Sequence, residues 1–393
     1  MILHISDDNV FLDSAIDHIE KIAPGTNKYI VTDRNPQKIK NSDKIIVDPN
    51  SIQYRECLEN LEEYDAVILH ALTKDKVEIV NNASEKVRFV WMFWGADGYE
   101  LPGMRKYLFT SATKKILSEI APRINLKKKF SRLLKSILSP LFIIFYKNRD
   151  GIPYYFRLKK AIKRINFISP VVEEDFYRLK KYVKTRAEFL PFSYGSLESR
   201  IKIILKSNVN YSDILVGNSA NPSNNHIDIF KILKDIRIDH GKIIVPLSYG
   251  DVYNYRDKII VKGKEYFMDR FEPILDFLEF EKFTKIISEC KAIILNHIRQ
   301  QAAGMIMTAL WYGKKVFMNK RSTLFQFYKK RNAIIFSNDE ITEDSLFSPL
   351  SESEVNENRQ VLEDYYSEEK VMQRTENFIK KLTIQSGQNL KYF

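Results

Sequence analysis

Cysteine is scarce. Cys57 and Cys290 are the only two in 393 residues. Two thiols so far apart build neither a disulfide framework nor a metal site, and they fit a reducing compartment. The sequence also lacks any Asp-x-Asp pair. Such a pair commonly holds a divalent ion on the diphosphate of a nucleotide sugar, so no metal or other cofactor is expected. No run reaches the ~18 apolar residues of a membrane-spanning helix. The nearest candidate, ILSPLFIIFY at 137–146, is about half that length. The opening, MILHISDDNVF, reads as a short strand, without the charged start and long apolar region of a secretory leader. No helix-turn-helix, zinc or RNP-type motif is visible.

What is present is a globular composition, 44% hydrophobic and 12% aromatic. The length exceeds one typical core and predicts two domains. The formal net charge is +12. A basic balance fits nucleic acid, an anionic membrane face or a phosphorylated small molecule.

Short apolar runs alternate with helical patterns through the first part of the chain. MILHIS, NKYIVTD, DKIIVD, YDAVILHAL, VRFVWMFWGAD, RINFISP and AEFLPFSYG read as strands. A second series begins near Asp213 with SDILVGNSA, GKIIVPLSYG, KAIILNHI, GKKVFMN and AIIFSN. Strands separated by helices predict parallel βαβ units, here two doubly wound, Rossmann-like domains. The expected divisions are 1–197, with a basic amphipathic insertion at about 121–165, then 198–350, then C-terminal helices over 351–393 that pack back toward the first domain. Such domains bind ligands at the C-terminal ends of their strands, and two of them would face each other across a cleft.

Polar loops follow those ends. In ILVGNSANPSNNHI, Gly217 permits close backbone approach, while Asn218, Ser219, Asn224 and His226 offer hydrogen bonds to a phosphate or a sugar hydroxyl. A capped loop is the plain alternative. In VPLSYGD, Ser248, Tyr249 and Gly250 end a strand, and Tyr249 is placed to stack on a base or simply to pack. In NHIRQQAAGMIMTALWYGKKVF, the apolar body of a buried helix is preceded by Arg299, Gln300 and Gln301. A helix N-terminus attracts anions, so a diphosphate held by Arg299 is expected, with Gly304 admitting another group against the first turn. An arginine ion-paired at a domain seam is the alternative. In FWGADGYEL, Trp94, Gly95, Asp97, Tyr99 and Glu100 follow a strand. An acid there would remove a proton from an attacking hydroxyl, and Asp97 as a helix N-cap is the competing reading.

Taken together, FWGADGYEL, ILVGNSANPSNNHI, VPLSYG and RQQAAGM resemble, in that order, the enterobacterial TDP-Fuc4NAc:lipid II 4-acetamidofucosyltransferases, glycosyltransferase family 56. The resemblance runs over roughly 93–317. It implies a GT-B fold. It also implies transfer of a sugar, 4-acetamido-4,6-dideoxygalactose or a similar one, from a dTDP- or UDP-linked donor to a glycan or polyprenyl-diphosphate-linked acceptor in surface polysaccharide synthesis. On the matching positions, Gly217, Asn218, Ser219, Asn224, His226, Arg299, Gln300, Gln301 and Gly304 hold the donor. Asp97 and Glu100 are the candidate catalytic acids, with Trp94, Gly95 and Tyr99 toward the acceptor. Many retaining GT-B enzymes carry two glutamates at the last of these helices, where this sequence has Gln300 and Thr308, which leans toward inversion.

The segment after FWGADGYEL is longer and more basic than in the family. Phe130, Leu133, Leu134 and Ile137 form one helical stripe, with Lys127, Lys128, Lys129, Arg132 and Lys135 around it. That is the pattern of an interfacial helix on an anionic leaflet, and it places the enzyme on the cytoplasmic face of the membrane. A solvated basic face on an ordinary helix is the alternative. Cations interleaved with apolar residues argue against a nucleic-acid binder. That reading, and an inactive relative that only binds sugar nucleotides, remain the rival classes.

Overall fold

The structure is a computed structural model. It describes every residue except 34, 37, 40–44, 47, 49, 100, 106, 121–153, 202–211, 239–240 and 384–393. The chain divides into two compact units. The first comprises Met1–Met104, Tyr146–Ser199 and Tyr365–Phe393, and the second Arg105–Phe145 and Arg200–Asp364.

The first unit is built on seven parallel strands: β1 (Ile2–Ser6), β2 (Asn27–Val31), β3 (Ile45–Ile46), β4 (Ala66–His70), β5 (Phe89–Phe93), β6 (Phe167–Pro170) and β7 (Glu188–Phe189). Their order is β3-β2-β1-β4-β5-β6-β7. Every residue of β1, β4 and β5 is buried. This is why these runs read as continuously apolar, since helices cover both faces of such a sheet. Helix Val10–Ile22 starts where the Asn9 side chain accepts the Phe11 and Leu12 amides, a regular N-cap. Its Ala15 and Ile19 pack in one cluster with Ile2 of β1 and with Phe378, Ile379 and Leu382 of the last helix, Glu368–Thr383.

The second unit holds six parallel strands: β8 (Ile214–Val216), β9 (Ile243–Pro246), β10 (Phe271–Ile274), β11 (Ala292–Leu295), β12 (Lys315–Met318) and β13 (Phe336–Ser337), in the order β10-β9-β8-β11-β12-β13. Strand β10 was not expected. It carries Pro273, which argues against a central strand, and it lies at the sheet edge, where proline is tolerated. Helix Ser111–Ile120 groups with this unit, whereas its position in sequence suggested the first domain. Ile116 joins the core around Ile227 and Phe230, and the Thr110 hydroxyl donates to Asp228 Oδ2 at 2.6 Å. Packing here overrides sequence proximity.

Both sheets reverse their winding direction once, between β1 and β4 in the first unit and between β8 and β11 in the second. The carboxyl ends of strands at such a switch point are where open α/β sheets bind ligands.

Candidate functional site

At the switch point of the second unit, the loops after β8 and β11 are tied into one polar network. Gly217 makes it possible. Its φ is +74°, and a Cβ there would lie 2.8 Å from His226 Nε2 and 2.9 Å from Asn224 Oδ1. Asn224 turns inward beneath it. Its Nδ2 donates to Ser219 Oγ and the Asn221 carbonyl, and its Oδ1 accepts the Asn218 amide at 2.9 Å. The same oxygen sits 2.7 Å from His297 Nε2. Asn224 Oδ1 can only accept, so His297 carries its proton on Nε2. Its Nδ1 is enclosed without a partner. Burial holds the His297 pKa well below the usual histidine value, with the Arg299 charge pushing the same way.

Gln301 joins the two loops at the surface of this network. Its Nε2 donates to Asn218 Oδ1 at 2.8 Å, and its Oε1 accepts from Ser223 Oγ at 2.7 Å. Arg299 Nε donates to Ser223 Oγ at 3.4 Å. Asn218 Nδ2 in turn donates to the Tyr249 hydroxyl at 2.9 Å, and the Tyr249 side chain is half exposed. Below, the loops are clamped reciprocally. Asn225 Nδ2 donates to the Asn296 carbonyl and Asn296 Nδ2 to the Asn225 carbonyl, both at 3.1 Å.

Helix Ala303–Trp311 begins later than the sequence suggested. Ala302 takes a left-handed φ of +63°, so Arg299, Gln300 and Gln301 lie in the turn before the helix. No side chain caps this N-terminus. Its first turn is approached by Arg200, whose Nη1 would lie 3.0 Å from a Cβ at Gly304. Sequence reasoning missed Arg200 as a neighbour of this turn, because nothing local connects 200 with 304. The uncapped amides and the guanidinium groups of Arg299 and Arg200 suit an anion.

Of the residues expected to hold the donor, the fold gathers Gly217, Asn218, Ser219, Asn224, Tyr249, Arg299 and Gln301. Gly250 lies alongside, with φ +78° and a Cβ position 3.2 Å from that of Asn221. Gln300 is buried and takes no part in these bonds, and Ser248 is half-buried. His226 is a correction. It is wholly buried, both ring nitrogens are unpartnered, and it packs between Phe230 and Tyr255. Burial lowers its pKa to about 3. It supports the Gly217 turn from within and has no open face.

In the first unit, FWGADGYEL follows β5. Gly95 has φ +101°, and its carbonyl accepts the Gly98 and Tyr99 amides. Asp97 does not cap a helix. Its Oδ2 accepts the Trp91 indole N–H at 2.6 Å and the Leu72 amide at 2.9 Å, tying the ends of β5 and β4 together. Its Oδ1 is enclosed and unpartnered. Burial raises its pKa against the pull of those two N–H bonds. Tyr99 is also a correction, since it is 2% exposed and donates to Asp175 Oδ1 at 2.6 Å inside the unit. Trp94 is half-buried beside Phe11 and Tyr194. Glu100 and the basic residues Lys127, Lys128, Lys129, Arg132 and Lys135 lie outside the described residues. Among the described residues, no helix is long and apolar enough to cross a membrane, and no group of three or more His, Cys, Asp or Glu side chains is placed to hold a metal ion.

The whole chain superposes on solved glycosyltransferases of the GT-B type. HepE from Anabaena, solved with UDP and glucose, matches with a TM-score of 0.61 at 10% identity, covering 98% of this chain and 100% of that one. A glycosyltransferase from Rickettsia africae gives 0.60 at 11% identity over 97% and 98% of the two chains. Sucrose-phosphate synthase from Thermosynechococcus elongatus gives 0.59 at 10% identity over 98% and 100%. At such identities the likeness establishes the fold, which is GT-B. The sequence itself is more specific, since residues 151–360 match the family described as 4-alpha-L-fucosyltransferase, glycosyl transferase group 56. That is more than half of the chain, and the protein is therefore a glycosyltransferase belonging to group 56.

Proposed function

We propose that the enzyme moves a sugar from a nucleoside-diphosphate donor, UDP- or dTDP-linked, onto a glycan or polyprenyl-diphosphate-linked acceptor, and that the switch point of the second unit holds the donor. The observation that carries this is the network of Asn218, Ser223, Arg299 and Gln301 ahead of an uncapped helix N-terminus. Guanidinium groups and helix amides meet the diphosphate charge, in place of a metal held by paired carboxylates. The half-exposed Tyr249 offers its ring to the base. The transferred sugar is 4-acetamido-4,6-dideoxygalactose or a close analogue, as the family resemblance implies.

Inversion is favoured by Gln300 and Thr308, which stand where retaining relatives carry glutamates. Asp97 is the candidate base. It is the first acid of the motif after β5, Oδ2 holds its two N–H bonds while Oδ1 accepts none, and burial raises its pKa. Glu100 is the second acid of the same motif. The basic 127–163 segment carries the enzyme to the anionic cytoplasmic face of the membrane, where a lipid-linked acceptor resides.

Thermal unfolding with UDP, dTDP and unrelated nucleotides tests the donor reading. A true donor base at 100 times its Kd adds about 2.7 kcal/mol of stability. Equal and negligible shifts across the panel would remove the donor assignment. For the membrane, changing Lys127, Lys128 and Lys129 to Glu should release the protein from anionic liposomes while nucleotide binding survives. Flotation that is indifferent to lipid charge would remove that part of the reading.

A further inference from the structure

The turn that brings a backbone amide to Asp97 consists of His70, Ala71 and Leu72, directly after β4. Ala71 takes φ +62°, a left-handed conformation that an alanine rarely adopts. Such a residue persists only where its surroundings over-determine it. Here each end of the turn is gripped. The Ala71 amide donates to the Met92 carbonyl at 3.1 Å, and the Leu72 amide donates to Asp97 Oδ2 at 2.9 Å. At the other end, the Lys76 ammonium donates to the His70 carbonyl at 2.9 Å. The His70 ring is held as well. Its Nε2 lies 3.1 Å from His4 Nδ1 and its Nδ1 2.8 Å from the Tyr194 hydroxyl, while His4 Nε2 lies 3.4 Å from Asn27 Oδ1.

Lys76 is the third residue of helix Lys74–Asn82, and its side chain is wholly buried. A buried ammonium is unfavourable unless it is paired. Its ion-pair partner is Asp7, at the end of β1, whose Oδ1 lies 2.9 Å away and also accepts from Thr32 Oγ1 at 2.9 Å. The Asp7 side chain is 36% exposed, so water screens its charge. Asp97 Oδ1, by contrast, is enclosed. A cation on the carbonyl and an anion on the amide thus hold one three-residue turn from opposite ends, and each favours the charge of the other.

We propose that Lys76 is a positioning residue for Asp97, its buried ammonium gripping the His70–Leu72 turn so that the Asp97 carboxyl stays ionised with Oδ2 locked on the Leu72 amide and the Trp91 indole. The proposal rests on the reading of Asp97 as the base and deepens it, because a base must be ionised before it accepts a proton. Burial opposes that form and raises the Asp97 pKa, while its N–H bonds and the Lys76 charge pull the other way. The neighbouring ionisable groups do not supply this pull. Burial keeps His70 and Tyr194 neutral, and Asp7 and Asp75 are counter-charges of Lys76. The plain alternative is a tie between β1 and β4 with no bearing on the charge of Asp97.

The Trp91 indole N–H, 2.6 Å from Asp97 Oδ2, reports that charge without any substrate. The test is a pH titration of its NMR resonance, assigned by its loss in Trp91→Phe, in the full chain as wild type, Lys76→Met, Asp7→Asn and Asp97→Asn. In wild type the resonance should follow a titration above the ordinary carboxylate range that disappears in Asp97→Asn. Lys76→Met should move the midpoint up by about one pH unit, a usual size for the loss of a nearby opposite charge. Asp7→Asn leaves the ammonium in place and removes its counter-charge, so the midpoint should move down. Both variants break the same ion pair, and mere loosening would move both midpoints the same way. Asp7 is partly exposed, so Asp7→Asn carries the test if Lys76→Met does not fold. Unchanged midpoints, or shifts in one shared direction, would overturn the proposal. Turnover of Asp97→Asn tests the base reading separately. If that turnover is near normal the base reading falls, and opposite midpoint shifts would still show that Lys76 governs the Asp97 charge.

Discussion

The two switch points have the same topology and opposite chemistry. In the second unit, the ends of β8 and β11 carry amides, hydroxyls and guanidinium groups that bond one another across two loops. In the first, the ends of β1, β4 and β5 carry aromatic rings, two neutral imidazoles and a carboxylate whose two bonds tie strand ends together. The loops of the second unit are polar and bonded to one another, while the residues after the strands of the first are largely aromatic. A doubly wound sheet fixes where a ligand binds, and the loop residues decide what binds.

The sharpest way to break this contrast is Asp97→Asn. Turnover should fall by roughly 10²-fold or more while UDP binding is preserved. Near-normal turnover would reduce Asp97 to a tie between β4 and β5, and Glu100 would become the base to test.

A smaller effect separates the roles of two glycines. Gly217→Ala forces a side chain into φ +74° and against His226 Nε2, and should cost about 1–3 kcal/mol of stability, together with nucleotide affinity. Gly25→Ala has a similar φ of +69° with nothing within 4 Å, so it should show the backbone strain alone and leave nucleotide affinity untouched. Equal behaviour of the two in denaturant titration and calorimetry would contradict the packed Gly217 turn.

Acid should weaken both units. His4 and His226 are each held neutral to about pH 3, and burial holds His70 and His297 well below the usual histidine value, with neighbouring charges pushing the same way, while the unfolded chain takes up protons near pH 6.5. The folded form binds fewer protons below pH 6.5. Stability is therefore full above that pH and falls as pH drops toward 3, by at most about 1.4 kcal/mol per pH unit for each group. Denaturant midpoints that do not change between pH 7.5 and 5 would show that these imidazoles are not sealed from water.

Much of this was legible in the sequence. The buried strands read as apolar runs, and the β8 and β11 loops read as polar breaks after them. Asn218, Arg299 and Gln301 were named from residue type and place, and the fold brings them together. What was hidden depended on distance or direction. Arg200 meets Gly304 only through folding. Asn225 and Asn296 form a reciprocal clamp that neither residue signals alone. His226 and Tyr99 are polar residues of the short helices that follow β8 and β5, their side chains turn inward, and composition does not give orientation. The chain from Asn27 through His4 and His70 to Tyr194 draws on β1, β2, β4 and the segment after β7, and no local pattern links them.

The central claim is that the switch point of the second unit binds the donor diphosphate through Arg299, without a metal bridge. Calorimetric titration of UDP into wild type and Arg299→Ala, each with and without EDTA, tests it most directly. The account predicts that EDTA leaves wild-type affinity unchanged and that Arg299→Ala loses about 1.5–3 kcal/mol, roughly ten- to hundredfold, in either buffer. Affinity that vanishes with EDTA, or that survives Arg299→Ala intact, would contradict it.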